Sequence, residues 1–242
     1  MRYEEWGFND VFNTSNEKIS KSQKHGVLIA AQYLAPARLS GFNVCAASTA
    51  ACRALCLNTA GNPAYAPQKA RARLARTLAL YANRAGYVKA VAAEIERLER
   101  KAKRESLRLA IRLNGTSDIA WHRIAPQLFE QFKHLQFYDY TKVKKRLFEK
   151  LPSNYHLTYS YAENDTPDDA RAIIATRHNV AIVFAITPKT PMIKAWHGMS
   201  VIDGDTTDYR PRDKRGAIVG LRAKGAARKH DKWGFVQHVS QA

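Results

Sequence analysis

The chain has 242 residues, 45% of them hydrophobic, and carries 39 Lys and Arg against 21 Asp and Glu, a formal net charge of +18. That length can bury one large core or two small ones, while the absence of any run of eighteen apolar residues argues against a membrane span. The positive excess favours polyanionic partners, nucleic acid before others, over a merely soluble basic surface.

In chain order, residues 1–24 (opening MRYEEWGFNDVF) read as a polar extension unlike a secretory signal, and 25–225 as a single α/β domain. Gly26–Tyr33 is a plausible first strand, and it leads into a loop, 45–56, that holds the three cysteines. Pro67–Arg104 reads as helix, bent near Gly86, with Leu74, Leu78, Tyr81, Val88, Val91, Ile95 and Leu98 recurring at three- and four-residue steps. Cations crowd both ends of this stretch. Those at Arg97–Arg104 complement a helix dipole, whereas Arg71, Arg73 and Arg76 stand near a helix start, where cations are unfavourable, and are the better anion binders. Strands follow at Leu107–Leu113, Leu135–Asp139, Tyr155–Ser160, Val180–Ala185, Met199–Asp203 and Ala217–Arg222. Helices are expected at Trp121–Lys133, Lys142–Leu151 and Pro167–Thr176, the last with Asp168 and Asp169 at its start. Residues 226–242 read as a tail. This alternation predicts an α/β fold, either a partial (β/α) barrel, which is favoured, or an open parallel sheet.

Cys45, Cys52 and Cys56 are the chain's only cysteines, and their odd number argues against a disulfide framework. Their spacing, C-x6-C-x3-C, matches neither zinc-ribbon pairs nor the ferredoxin run. Unconnected core thiols or a cysteine nucleophile remain open beside a metal centre. With no signal segment, such thiols suit a reducing cytoplasm.

In parallel α/β folds, chemistry collects at the carboxyl ends of strands. Those ends here carry Asn114, Thr116 and Asp118; Asp139 and Lys142; Ser160; Asp203 and Asp205; and Lys224. Asp118, Asp139, Asp203 and Asp205 could bind a divalent metal or move protons. Lys142 and Lys224 could hold a phosphate or carboxylate, with Asn114, Thr116 and Ser160 lining the same pocket. Each aspartate alone is as readily a cap or turn former. The histidines form no HExxH motif and glycine-rich phosphate loops are absent, which argues against an ordinary dinucleotide or triphosphate enzyme.

CRALCLNTAG, RLNGTSDIAW, QFYDYTK, NYHLTYS, VIDGDTTD and IVGLRAKG, in that order, resemble the phage "gene product 88" domain family. The resemblance implies a protein of phages, prophages or other mobile elements. The layout is also similar to radical S-adenosylmethionine enzymes, which implies a 4Fe-4S cluster on Cys45, Cys52 and Cys56, with S-adenosylmethionine or another small ligand at the open iron. The cysteine spacing departs from the C-x3-C-x2-C of those enzymes. Three readings result: an iron–sulfur protein of radical-enzyme type, a basic nucleic-acid-binding or anti-defence protein with structural cysteines, and a metal-dependent nuclease.

Overall fold

The elements run β1 (Phe12–Asn13), α1 (Glu17–Gln23), β2 (Val27–Gln32), α2 (Ala50–Ala54), α3 (Ala66–Ala82), α4 (Arg84–Arg104), β3 (Arg108–Arg112), α5 (Trp121–Ile124), α6 (Pro126–Gln131), β4 (Gln136–Thr141), β5 (Tyr155–Ser160), α7 (Pro167–Ala175), β6 (Val180–Phe184), β7 (Ala195–Trp196), β8 (Met199–Asp203) and β9 (Ile218–Arg222). They are those of a computed structural model, which describes residues 6–61 and 65–238. The described residues fall into two compact units: the first takes 6–46, 65–139 and 150–156, the second 47–61, 140–149 and 157–238.

In the first unit, β1 pairs antiparallel with β2, and β2, β3 and β4 run parallel, with Val27 opposite Arg108 and Ala110 opposite Gln136. β2 is buried along its whole length, as a strand covered on both faces must be. Here α4 buries Tyr87, Val88, Val91, Ile95 and Leu98. The N-terminal residues, expected to form a polar extension, instead add to this core: Phe8, Val11, Phe12 and Ile19 are all buried. Their backbone is tied down as well, since the buried Glu94 carboxylate accepts the Val11 and Phe12 amides at 2.7 and 3.2 Å.

In the second unit the order is β5-β6-β9-β8-β7, parallel except for the β7–β8 hairpin. His197 and Gly198 turn that hairpin with φ of 46° and 76°, the double positive φ of a tight two-residue turn. Ala51, Leu55, Ala227 and Val236 form a core here with Val183, Trp233 and Phe235, so part of the expected tail is also packed.

The fold class is therefore α/β with mostly parallel strands, and the open sheet, not the partial barrel, is the correct alternative. A barrel requires every strand to pair on both sides, whereas β1 and β7 are end strands with one neighbour each.

Caps and prolines set the helix boundaries. The expected bend lies at Asn83, whose Oδ1 accepts the Gly86 amide at 2.9 Å and so caps α4. Gly86 is needed for that cap, because a Cβ there would come within 2.5 Å of Asn83 Nδ2. Pro126 divides the expected Trp121–Lys133 helix into α5 and α6. Lys142–Leu151 yields only a 3-10 turn, Lys144–Phe148. α7 starts on a full capping box, Thr166 with Asp169, and Pro167 follows the cap. No helix among the described residues is long and apolar enough to cross a membrane.

Candidate functional site

Asp139 lies near the end of β4 in the first unit and is completely buried. Its carboxylate accepts the Asn114 amide at 2.7 Å, Asn114 Nδ2–H at 3.1 Å and the Tyr155 hydroxyl at 2.9 Å. Burial pushes this carboxyl up to about 7, opposed by those hydrogen bonds and by the Arg112 charge. Asn114 Oδ1 accepts Ser117 Oγ–H at 2.8 Å and Ile119 N–H at 3.0 Å, so NGTSDI closes into an asparagine-centred turn. From this turn Thr116 Oγ1 donates to Leu34 O at 2.6 Å and the Asp118 amide to Val44 O at 2.7 Å. Asn114, Thr116, Asp118 and Asp139 thus share one region of the first unit, where the bonds of Asn114, Thr116 and Asp139 stitch loop to loop.

The cysteines are divided between the units. Cys45, in the first, accepts the Ala37 amide at 3.3 Å, and its thiol lies 3.7 Å from Thr116 O. Cys52 and Cys56 belong to the second. There Thr49 caps α2 by accepting the Cys52 amide at 3.1 Å, while Glu163 accepts Thr49 Oγ1–H at 2.6 Å and the Ala51 amide at 3.0 Å. These bonds hold the Glu163 carboxyl below its ordinary value in spite of burial. Cys56 Sγ accepts the Asn58 amide at 3.5 Å. All three are half-buried thiols outside any disulfide. Among the described residues no group of three or more His, Cys, Asp or Glu is gathered to hold a metal ion.

The strand ends of the second unit are occupied by internal pairing. Arg222 Nη1 donates to both Asp203 oxygens at 3.0 Å, and the Arg222 amide donates to Asp205 at 2.9 Å. Lys224 adds a contact to Asp205 at 3.1 Å. These two aspartates, expected as metal ligands or acids, are therefore neutralised by cations from β9 and the residues after it. Lys142 Nζ donates to Ser160 O at 3.1 Å, Ser160 Oγ at 3.2 Å and Tyr161 O at 2.9 Å, closing the end of β5.

The three arginines of α3 separate by role. Arg76 donates to Asp10 O at 2.7 Å and lies over the Phe8 ring; burial pulls its guanidinium below the usual arginine value. Arg73 lies over the Tyr33 ring at 5.3 Å. Arg71 alone of the three is exposed. The helix buries Thr77, Ala79 and Leu80, while Leu74, Leu78 and Tyr81, grouped by their helical spacing, are 36, 43 and 39% exposed. Phe42, at 40% exposure, stacks on Tyr81 with ring centroids 4.0 Å apart and planes 10° from parallel. Sequence reasoning misses this pair, because the helical periodicity groups Tyr81 with Leu74 and Leu78 without saying which way that face points, and Phe42 stands in a loop without periodicity.

A family model described as Gene product 88 matches residues 8–238. No curated protein and no solved structure matches the chain. Nothing in these comparisons supports the likeness to radical S-adenosylmethionine enzymes.

Proposed function

We propose, for a chain that belongs to the phage-associated gene product 88 family, a nucleic-acid-binding role carried by exposed cations of the first unit. The observation that supports it is the set of solvent-facing arginines around α3. Arg38, Arg71 and Arg84 are exposed and their side chains make no ion pair or hydrogen bond among the described residues, on a chain of net charge +18. Phosphates neutralise such cations and release counterions, which gives affinity without sequence preference. Arg73 and Arg76, engaged with Tyr33, Phe8 and Asp10, contribute to packing instead. Reversing Arg71 and Arg84 to glutamate is expected to weaken binding and to lower the salt slope by about 1 for each phosphate no longer neutralised. An unchanged affinity in the double variant, read by fluorescence anisotropy, contradicts the assignment.

A second reading, an iron–sulfur centre, is supported by half-buried thiols that lie outside any disulfide. It predicts iron and acid-labile sulfide in anaerobically purified protein. Colourless protein with neither overturns it.

A further inference from the structure

We propose that the coplanar Phe42–Tyr81 pair is a stacking platform for the bases of single-stranded nucleic acid; this rests on the nucleic-acid reading and narrows it to unpaired strands. The two rings lie 4.0 Å apart at 10°, and each keeps about two-fifths of its surface in solvent. Their geometry is already set in the protein alone. The Tyr81 hydroxyl donates to Asn43 O at 3.3 Å, which fixes the Phe42–Asn43 loop to α3 by a second contact beside the stack. A platform formed in advance avoids the ordering cost that flexible aromatics would incur on binding.

Cations and further apolar surface continue outward from the pair. Leu74 and Leu78 precede Tyr81 on the exposed side of α3. Arg84, which opens α4 just past the end of α3, lines a cleft with Leu80, Tyr81, Ile119 and Ile124. Arg71 stands one turn before Leu74, and Arg38 lies in the loop that leads to Phe42; both are exposed. Aromatic faces flanked by arginines match the two repeating features of an unpaired strand, since bases can lie on rings while phosphates meet guanidinium groups. A duplex hides its base faces in its own stack and offers only the phosphates. An uncharged apolar protein partner would leave these arginines without counter-charge, so charge complementarity selects the polyanion.

The test is fluorescence anisotropy with a labelled single strand of about 16 nucleotides and the matching duplex. The proteins compared are the wild type, Phe42→Ala, Tyr81→Ala and Phe42→Tyr. The wild type is expected to bind the single strand more tightly than the duplex. Each alanine variant should lose at least about fivefold in single-strand affinity, with duplex affinity within about twofold of wild type, and Phe42→Tyr should keep the wild-type affinity. Thermal melting of each variant separates this loss from unfolding. Alanine variants that melt like the wild type and bind the single strand equally well overturn the platform while the nucleic-acid reading stands. A wild type that binds neither probe at low salt overturns both. Wild-type self-association that Tyr81→Ala abolishes, in sedimentation without nucleic acid, assigns the face to a second copy of the chain and also overturns the platform.

Discussion

Replacing Asp139 by alanine is expected to destabilise the protein by roughly 3–5 kcal/mol, the range found when buried polar partners are orphaned. The substitution leaves the Asn114 amide, Asn114 Nδ2–H and the Tyr155 hydroxyl without their acceptor in a site closed to water. It also releases the 114–119 turn, which carries the bonds from Thr116 to Leu34 and from Asp118 to Val44. Chemical denaturation measures the loss, and a cost below about 1 kcal/mol contradicts this role. The conservative variant tests the charge separately. Burial raises the Asp139 carboxyl from 3.8 to about 7, so between these values the folded state holds a proton that the unfolded state has lost. Stability from this group is thus complete at acid pH and declines as pH rises toward 7, by up to about 4 kcal/mol. Asp139→Asn does not titrate and should lack that decline. Parallel stability curves for the wild type and Asp139→Asn between acid and neutral pH would sink the assignment.

In the second unit the largest effect is expected at Arg222. Its side chain, 13% exposed, donates to both Asp203 oxygens, to Thr190 O at 2.9 Å and to Thr187 O at 3.3 Å. Arg222→Ala leaves Asp203 without its cation and Thr190 O without its donor, while Thr187 O keeps the Thr190 amide; the loss is roughly 1.5–3 kcal/mol, the range for hydrogen bonds to a charged group. Arg222→Lys should recover only part, because a single ammonium cannot span a carboxylate and two carbonyls. Asp205 keeps Lys224 in both variants. Thermal melting checks the order wild type, lysine, alanine, and an alanine variant as stable as wild type contradicts it.

Local signals in the sequence are sufficient where chemistry is local. The apolar run at 26–33 and the Thr166-Pro167-Asp168-Asp169 start are legible as β2 and the cap of α7 because strand burial and capping depend on neighbouring residues. The polar strand ends are legible for the same reason, but their partners are not. Asp203 and Asp205 read as ligands until Arg222, seventeen residues and more away in sequence, is seen to neutralise them. On α3 the periodicity marks Leu74, Leu78 and Tyr81 as one face without saying which way it points. The opposite side is buried instead, where Thr77 satisfies its hydroxyl by donating to Arg73 O and accepting the Ala35 amide, both at 2.9 Å. A polar residue in the core and leucines outside invert the usual rule, and that inversion leaves the Phe42–Tyr81 stack at the surface.

Titrating the wild-type protein with a labelled oligonucleotide across a salt series measures whether the exposed cations of this family member bind nucleic acid. Measurable binding is expected at low salt, with the logarithm of the binding constant falling linearly as the logarithm of salt concentration rises. Absence of binding at about 50 mM salt, or an affinity indifferent to salt, would contradict it.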